Sequence, residues 1–244
     1  MQRYFIELAY RGTHYSGFQV QQNAITIQSE LERALGICFR QVFQLTGASR
    51  TDAGVHALQN FFHFDTDCRS VGDAGRIYNI NSILPQDIVV QRIFPVKNDA
   101  HCRFDAIKRE YRYYIYRQKD PFLFDRAYYY PYQIDIAALQ AAAGALMAHT
   151  DFTSFSKKNS QVNNYICEIF ESDWTEDNGR LVYHVAANRF LRGMVKGLVG
   201  TMLQVGTGKI TFDDFENIIA KRNPALANFA VPSHGLFLEK VHYL

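Results

Sequence analysis

The sequence predicts an α+β protein of two ferredoxin-like (βαββαβ) halves, with mainly antiparallel sheets and a central cleft between them. Three observations carry this reading. The order strand, helix, strand, strand, helix, strand runs from Arg3 to Phe94, and the same order returns between Lys108 and Tyr243. The chain has 244 residues, enough for two small domains that each bury a core. The boundary is expected near Asn98 to Ala106, giving an N-terminal domain over 1–104 and a C-terminal domain over 105–244.

Arg3 to Tyr10 is the first strand, and Arg11 to Gln19 is a glycine-punctuated loop. A helix follows with Thr26 as N-cap and Ile27, Leu31, Ala34, Leu35 and Cys38 on one face. The run Val42 to Thr46 leads into a polar turn, Gly47 to Ala57. The run Leu58 to Phe64 leads out, with Leu58, Phe62 and Phe64 sharing a face. A weaker helix covers Val71 to Leu84, stopped by Pro85, and Asp87 to Phe94 is a short strand.

In the second half, Lys108 to Arg117 is a tyrosine-rich strand, and Asp135 to Met147 is a helix with Leu139, Ala143, Leu146 and Met147 on one side. Tyr165 to Trp174 and Leu181 to Ala187 form a hairpin across Glu176-Asp177-Asn178-Gly179. Helices over Phe190 to Val205 and Thr211 to Lys221 precede a closing strand, Leu236 to Tyr243.

A net charge of +2 means that any basic surface must come from local clustering. Cys38, Cys68, Cys102 and Cys167 are far apart and form no paired metal motif, as suits reduced thiols in a cytoplasm. No secretory signal opens the chain and no apolar run reaches membrane-spanning length, so a soluble cytoplasmic protein is expected. The eight histidines do not gather at metal-ligand spacing, and His101 beside Cys102 reads as coincidence. Asp65-Thr66-Asp67 superficially resembles the paired aspartates of magnesium-dependent phosphatases, but nothing downstream supplies the partners.

Three places could carry chemistry. Asp52 is the single carboxylate in the turn from Gly47 to Ala57, and Arg50, two residues away, could hold it ionised or bind a phosphate. The alternative is a structural loop in which Asp52 caps its own backbone. Alternation puts Arg109, Tyr111, Tyr113 and Ile115 on one face of the tyrosine-rich strand, where a ring could stack on an unstacked base or serve as ordinary sheet packing. On the late helix, Leu191, Val195, Leu198, Val199 and Met202 form an apolar stripe. Arg189, Arg192 and Lys196 form a basic stripe, and Gly193, Gly197 and Gly200 form a strip that would admit a close backbone.

The run Gly47-Ala48-Ser49-Arg50-Thr51-Asp52-Ala53-Gly54-Val55-His56-Ala57 closely resembles the active-site signature of the tRNA pseudouridine synthase A family. The segment His101 to Ala106 with Arg109-Glu110-Tyr111-Arg112-Tyr113 is similar to its second signature. Tyr111 aligns there with the tyrosine that contacts the target base, and Cys102 stands where Ala is commoner. Tyr10 to Gln19 resembles the first signature, with Phe18 where Trp is usual, and Gly235-Leu236-Phe237-Leu238 resembles the closing strand, whose leucine packs by the active site. Lys196 occupies the place of a basic residue that pairs with the aspartate, where most members have Arg.

The resemblance implies isomerisation of uridine to pseudouridine in the anticodon stem-loop of tRNA, by a homodimer, without cofactor or metal. It implies Asp52 as nucleophile, at C6 of the base or C1′ of the sugar, with Tyr111 and Lys196 completing the catalytic set. Arg50, Arg109, Leu236, Tyr10, Gln19 and Arg192 become substrate-binding candidates, and Lys108, Arg112, Lys157 and Lys158 candidate grips on the RNA backbone. The rival reading is a non-catalytic RNA-binding module.

Overall fold

The computed structural model describes residues 1–157 and 164–244; Lys158 lies outside them. In chain order the elements are β1 (Gln2–Tyr10), α1 (Ile27–Phe39), β2 (Thr46–Gly47), β3 (His56–Thr66), α2 (Ala74–Ile83), β4 (Ile88–Pro95), β5 (Lys108–Tyr116), β6 (Tyr128–Tyr129), α3 (Ile136–Ala145), β7 (Ile169–Asp177), β8 (Arg180–Ala187), α4 (Met194–Gly206), α5 (Phe212–Ala220) and β9 (Leu236–His242). This is a mixed α+β chain with mainly antiparallel pairing. It divides into two compact units, Met1–Ile107 with Leu238–Leu244, and Lys108–Phe237. A linear division at 104 misses that last strand segment, which counts with the first unit.

In the first unit the strand order is β4-β1-β3-β9, with β2 also on β3. β1 pairs antiparallel with both β3 and β4, in a register that sets Arg3 opposite Asp65 and Phe5 opposite His63. β3 is buried along most of its length because strands flank it and α1 and the loops cover it; Asn60 and Phe62 are both inaccessible. Leu58 departs from the expected face and is exposed. The strand into the turn shrinks to Thr46–Gly47, and Val42 lies in solvent. Thr26 closes a capping box with Ser29, and α1 buries Ile27, Leu31, Ala34 and Leu35, while Cys38 is half-buried. Ile27, Leu31 and Leu35 each contribute roughly 1.5–3 kcal/mol.

The second unit has the strand order β5-β8-β7, with β6 running parallel to β5. The β7–β8 hairpin turns on Asn178 and Gly179, both at positive φ, as a two-residue primed turn requires. On β5 the alternation holds: Arg109, Tyr111, Tyr113 and Ile115 are all buried. Asp135 caps α3, which buries Leu139 and Ala143, whereas Met147 falls in the following turn and is exposed. The apolar stripe from Leu191 to Met202 is buried throughout. A Cβ at Gly200 would lie 2.1 Å from the carbonyl oxygen of Asn228, so the expected close backbone approach is present.

The late helix begins later than expected. Gly193, in the left-handed region at φ 74°, is its N-cap, and α4 starts at Met194. Arg189 and Arg192 therefore precede the helix, and the single basic helical stripe with Lys196 is not formed.

Candidate active site

In the first unit the loop from Ala48 to Val55 is fastened at Ala48, Ser49, Thr51, Asp52 and Val55. The Ala48 amide donates to the Phe61 carbonyl at 2.8 Å. Asn60, buried in the middle of an apolar strand, sends its amide nitrogen to the Ser49 carbonyl at 2.9 Å and to the Tyr10 hydroxyl at 3.1 Å. That hydroxyl meets Thr51 Oγ1 at 2.8 Å. Thr51 also accepts the Phe18 amide at 3.1 Å through its carbonyl, and the Asp52 carbonyl accepts the Val55 amide at 3.1 Å. His56 accepts the Gly12 amide through Nδ1 at 3.1 Å.

Gly17, at φ 101°, backs the loop so closely that a Cβ there would sit 3.1 Å from the Thr51 carbonyl oxygen. Phe18 stacks on Phe62 with ring centroids 4.3 Å apart. Satisfied buried polar groups of this kind are costly to disturb, so the backbone at Asp52 is held rather than mobile. The Asp52 side chain is half-buried.

Tyr10 is thus a support under the loop and not a surface contact; it is 4% exposed. Gln19 and Arg50, by contrast, line one groove of about 200 Å³ with Gln28, Thr46, Gly47, His101, Arg103 and Phe104. Two guanidinium groups and no carboxylate face that groove, a composition suited to an anion. Arg50 is exposed, and among the described residues it forms no ion pair; the expected pairing with Asp52 is absent.

Behind the groove, burial, with His101 alongside, pushes His63 down to about 4. The Cys102 thiol lies 3.2 Å from its Nδ1 and donates to the Thr46 carbonyl at 3.1 Å. His63, His101 and Cys102 therefore meet, although their spacing in sequence gives no sign of it. Asp65, the suspected phosphatase-like aspartate, is occupied by Arg3 through both carboxylate oxygens at 2.8 and 2.9 Å.

In the second unit Tyr111 is buried, with the Phe190 ring edge-on at 4.9 Å. Arg109 is buried too and donates to the Asn188 carbonyl at 3.0 Å, a tie between β5 and the end of β8. Lys196 Nζ donates to Ser233 Oγ at 3.2 Å, in the short turn that leads directly to the buried Leu236. Arg192 is exposed before α4, and its carbonyl accepts the Lys157 amide at 2.9 Å. Sequence reasoning misses Asn60, although a lone Asn inside the run Leu58 to Phe64 is the pattern of a satisfied buried polar group. It also misses the groove-lining role of Arg103 and Phe104.

Among the described residues, no helix is long and apolar enough to cross a membrane. The family model described as "tRNA pseudouridine synthase" matches residues 8–105 and 142–244. A Porphyromonas gingivalis protein named tRNA pseudouridine synthase A is 44% identical, covering 100% of this chain and 98% of its own length. A Bacteroides fragilis protein of the same name is 45% identical, with 100% and 97% covered. One from Bacillus subtilis is 35% identical, with 97% of each covered. A match that takes in the fastened loop, the tyrosine strand and the closing strand, at these identities over full length, leaves one conclusion: the chain belongs to the tRNA pseudouridine synthase family.

Proposed function

We propose that this protein isomerises uridine to pseudouridine in the anticodon stem-loop of tRNA, with Asp52 as the nucleophile. The observation that carries the reading is the fastening of the Asp52 backbone by the Tyr10–Thr51 and Asn60–Ser49 bonds, beside an arginine-lined groove. A structural loop has no need of a half-buried carboxylate presented so rigidly.

The reaction breaks the N1–C1′ bond, turns the uracil within its pocket, and joins C5 to the same C1′; the C5 proton then leaves to solvent and N1 takes one up. Leaving and attacking groups belong to one molecule, so the balance needs no oxidant, reductant or external group. An Asp52 oxygen adds at C1′ or at C6 and is expelled at the end. That role calls for position more than for an altered acidity.

The target nucleotide must first leave its stack, at a cost of a few kcal/mol. Arg50 holds a phosphate of the flipped strand, and Gln19 adds a polar contact in the same groove. Tyr111 and Lys196 complete the catalytic set and Leu236 adds a substrate contact; these three roles rest on the family resemblance. Arg192 contributes charge to the RNA backbone. Arg109 and Tyr10 act as supports, since both are buried and bonded within the scaffold.

Two copies acting on one tRNA in the cytoplasm complete the reading, as does the assignment of each half to a ferredoxin-like unit. The order β4-β1-β3 with β2 on β3, and the order β5-β8-β7, support that assignment.

The test is tritium release from tRNA labelled at uridine C5. The unmutated chain is expected to release it, and Asp52→Ala to bind tRNA and release none. A non-catalytic binding module would release none even unmutated.

A further inference from the structure

Two imidazoles and a thiol from separate segments, His63 of β3 and the consecutive His101 and Cys102, place their ligand atoms within 4.8 Å of one another. We propose that these three side chains form a site for Zn²⁺, with water from the adjoining groove as fourth ligand.

The donor set suits a borderline-soft ion: imidazole and thiolate are the ligands Zn²⁺ takes most often. The spacing also suits it. Ligands at about 2.1 Å (nitrogen) and about 2.3 Å (sulfur) from a tetrahedral ion stand roughly 3.5 Å apart. His63 Nδ1 and Cys102 Sγ are 3.2 Å apart, so a small opening admits the ion. The His101 ring lies edge-on to His63 with centroids 4.6 Å apart, and it also lines the groove, which supplies the path for ion and water.

His101 Nδ1 accepts the amides of Arg103 at 3.1 Å and Phe104 at 3.4 Å, leaving Nε2 to ligate. Coordination moves the ring proton to Nδ1 and gives up those two contacts, just as ligation through His63 Nδ1 gives up the Cys102 amide that it accepts at 3.3 Å. The Cys102 thiol releases its proton on binding, and the thiolate then faces the ion.

Such an ion would staple the turn from His101 to Phe104 onto β3. That would fix the groove wall made by Arg103 and Phe104 while taking no part in the chemistry at Asp52.

The experiment uses the full chain, stripped with a chelator and then titrated with Zn²⁺ against a chromophoric competitor, and separately with Co²⁺. One equivalent should bind, Co²⁺ should give a tetrahedral spectrum with a sulfur-to-cobalt charge-transfer band, and Zn²⁺ should raise the melting temperature. Cys102→Ala should lose the band and weaken Zn²⁺ by more than about 100-fold, beyond the ~10–100-fold cost of losing an outer-sphere partner. His101→Ala should weaken it at least about 10-fold. Absence of the thiolate band, its survival in Cys102→Ala, or unchanged affinity in His101→Ala would each overturn the assignment.

Discussion

The hydroxyl of Tyr10 meets Oγ1 of Thr51 at 2.8 Å, directly under the loop that presents Asp52. Removing the phenolic oxygen leaves Thr51 and the Asn60 amide without a shared partner in a buried setting. Tyr10→Phe is expected to cost about 1–3 kcal/mol in denaturant unfolding. It should also lower kcat about tenfold with little change in KM, the pattern of a positioning residue. A change confined to KM would assign Tyr10 to substrate binding instead.

Asp52→Asn keeps the shape of the side chain and removes the proposed nucleophile. Turnover should fall on the order of 10⁴-fold or more, while tRNA affinity measured by filter binding stays within a few-fold. Lys196→Met should lose most turnover, and Lys196→Arg should retain it; near-normal activity in Lys196→Met would remove that residue from the catalytic set.

Arg50 lines the groove without an ion-pair partner among the described residues, so its charge is available to a phosphate. Arg50→Ala is expected to weaken tRNA binding and to reduce the slope of log affinity against log salt by about 1. An unchanged slope would mean that Arg50 touches no phosphate.

The Arg3–Asp65 pair spans β1 and β3, and hydrogen bonds from Arg3 hold Asp65 below the usual carboxylate range. A lowered folded-state value adds stability above the unfolded value near 3.9, and this is lost as pH falls through the folded one. The pair is partly exposed, so Asp65→Asn should cost only about 0.5 kcal/mol at neutral pH and less at an acid pH where Asp65 is protonated. Urea unfolding curves at the two pH values would show it.

At Gly200 the neighbouring backbone leaves no room for a methyl group. Gly200→Ala should destabilise by about 1–3 kcal/mol through overpacking, despite the better helix propensity of Ala, and calorimetry would register the lowered Tm.

Long periodic segments are legible in the amino-acid sequence because burial and local preference agree there. Thr26 with Ile27, Leu31, Ala34 and Leu35 forms a capped helix with those residues inside. The alternation from Arg109 to Ile115 holds throughout. What is not legible depends on conformation or on distant pairing. The basic stripe fails because Gly193 adopts a left-handed cap, which periodicity does not register. Val42 lies in solvent because β2 has only two residues to offer β3. His63 and Cys102 meet through the register of a sheet and a turn, across 39 positions. In the candidate site the motif identifies Asp52, but only side-chain geometry separates Tyr10 and Arg109, which support, from Gln19 and Arg50, which line the groove.

The first unit takes Leu238–Leu244 from the far end of the chain and sets β9 against β3. During synthesis, the amino-terminal half therefore leaves the ribosome with one side of β3 covered only by the two residues of β2, and it stays so until the entire second unit has been translated. A hydrophobic strand with an open edge in that interval invites association with other nascent chains, so assembly of this unit is timed by residues 238–244 and not by its first strand.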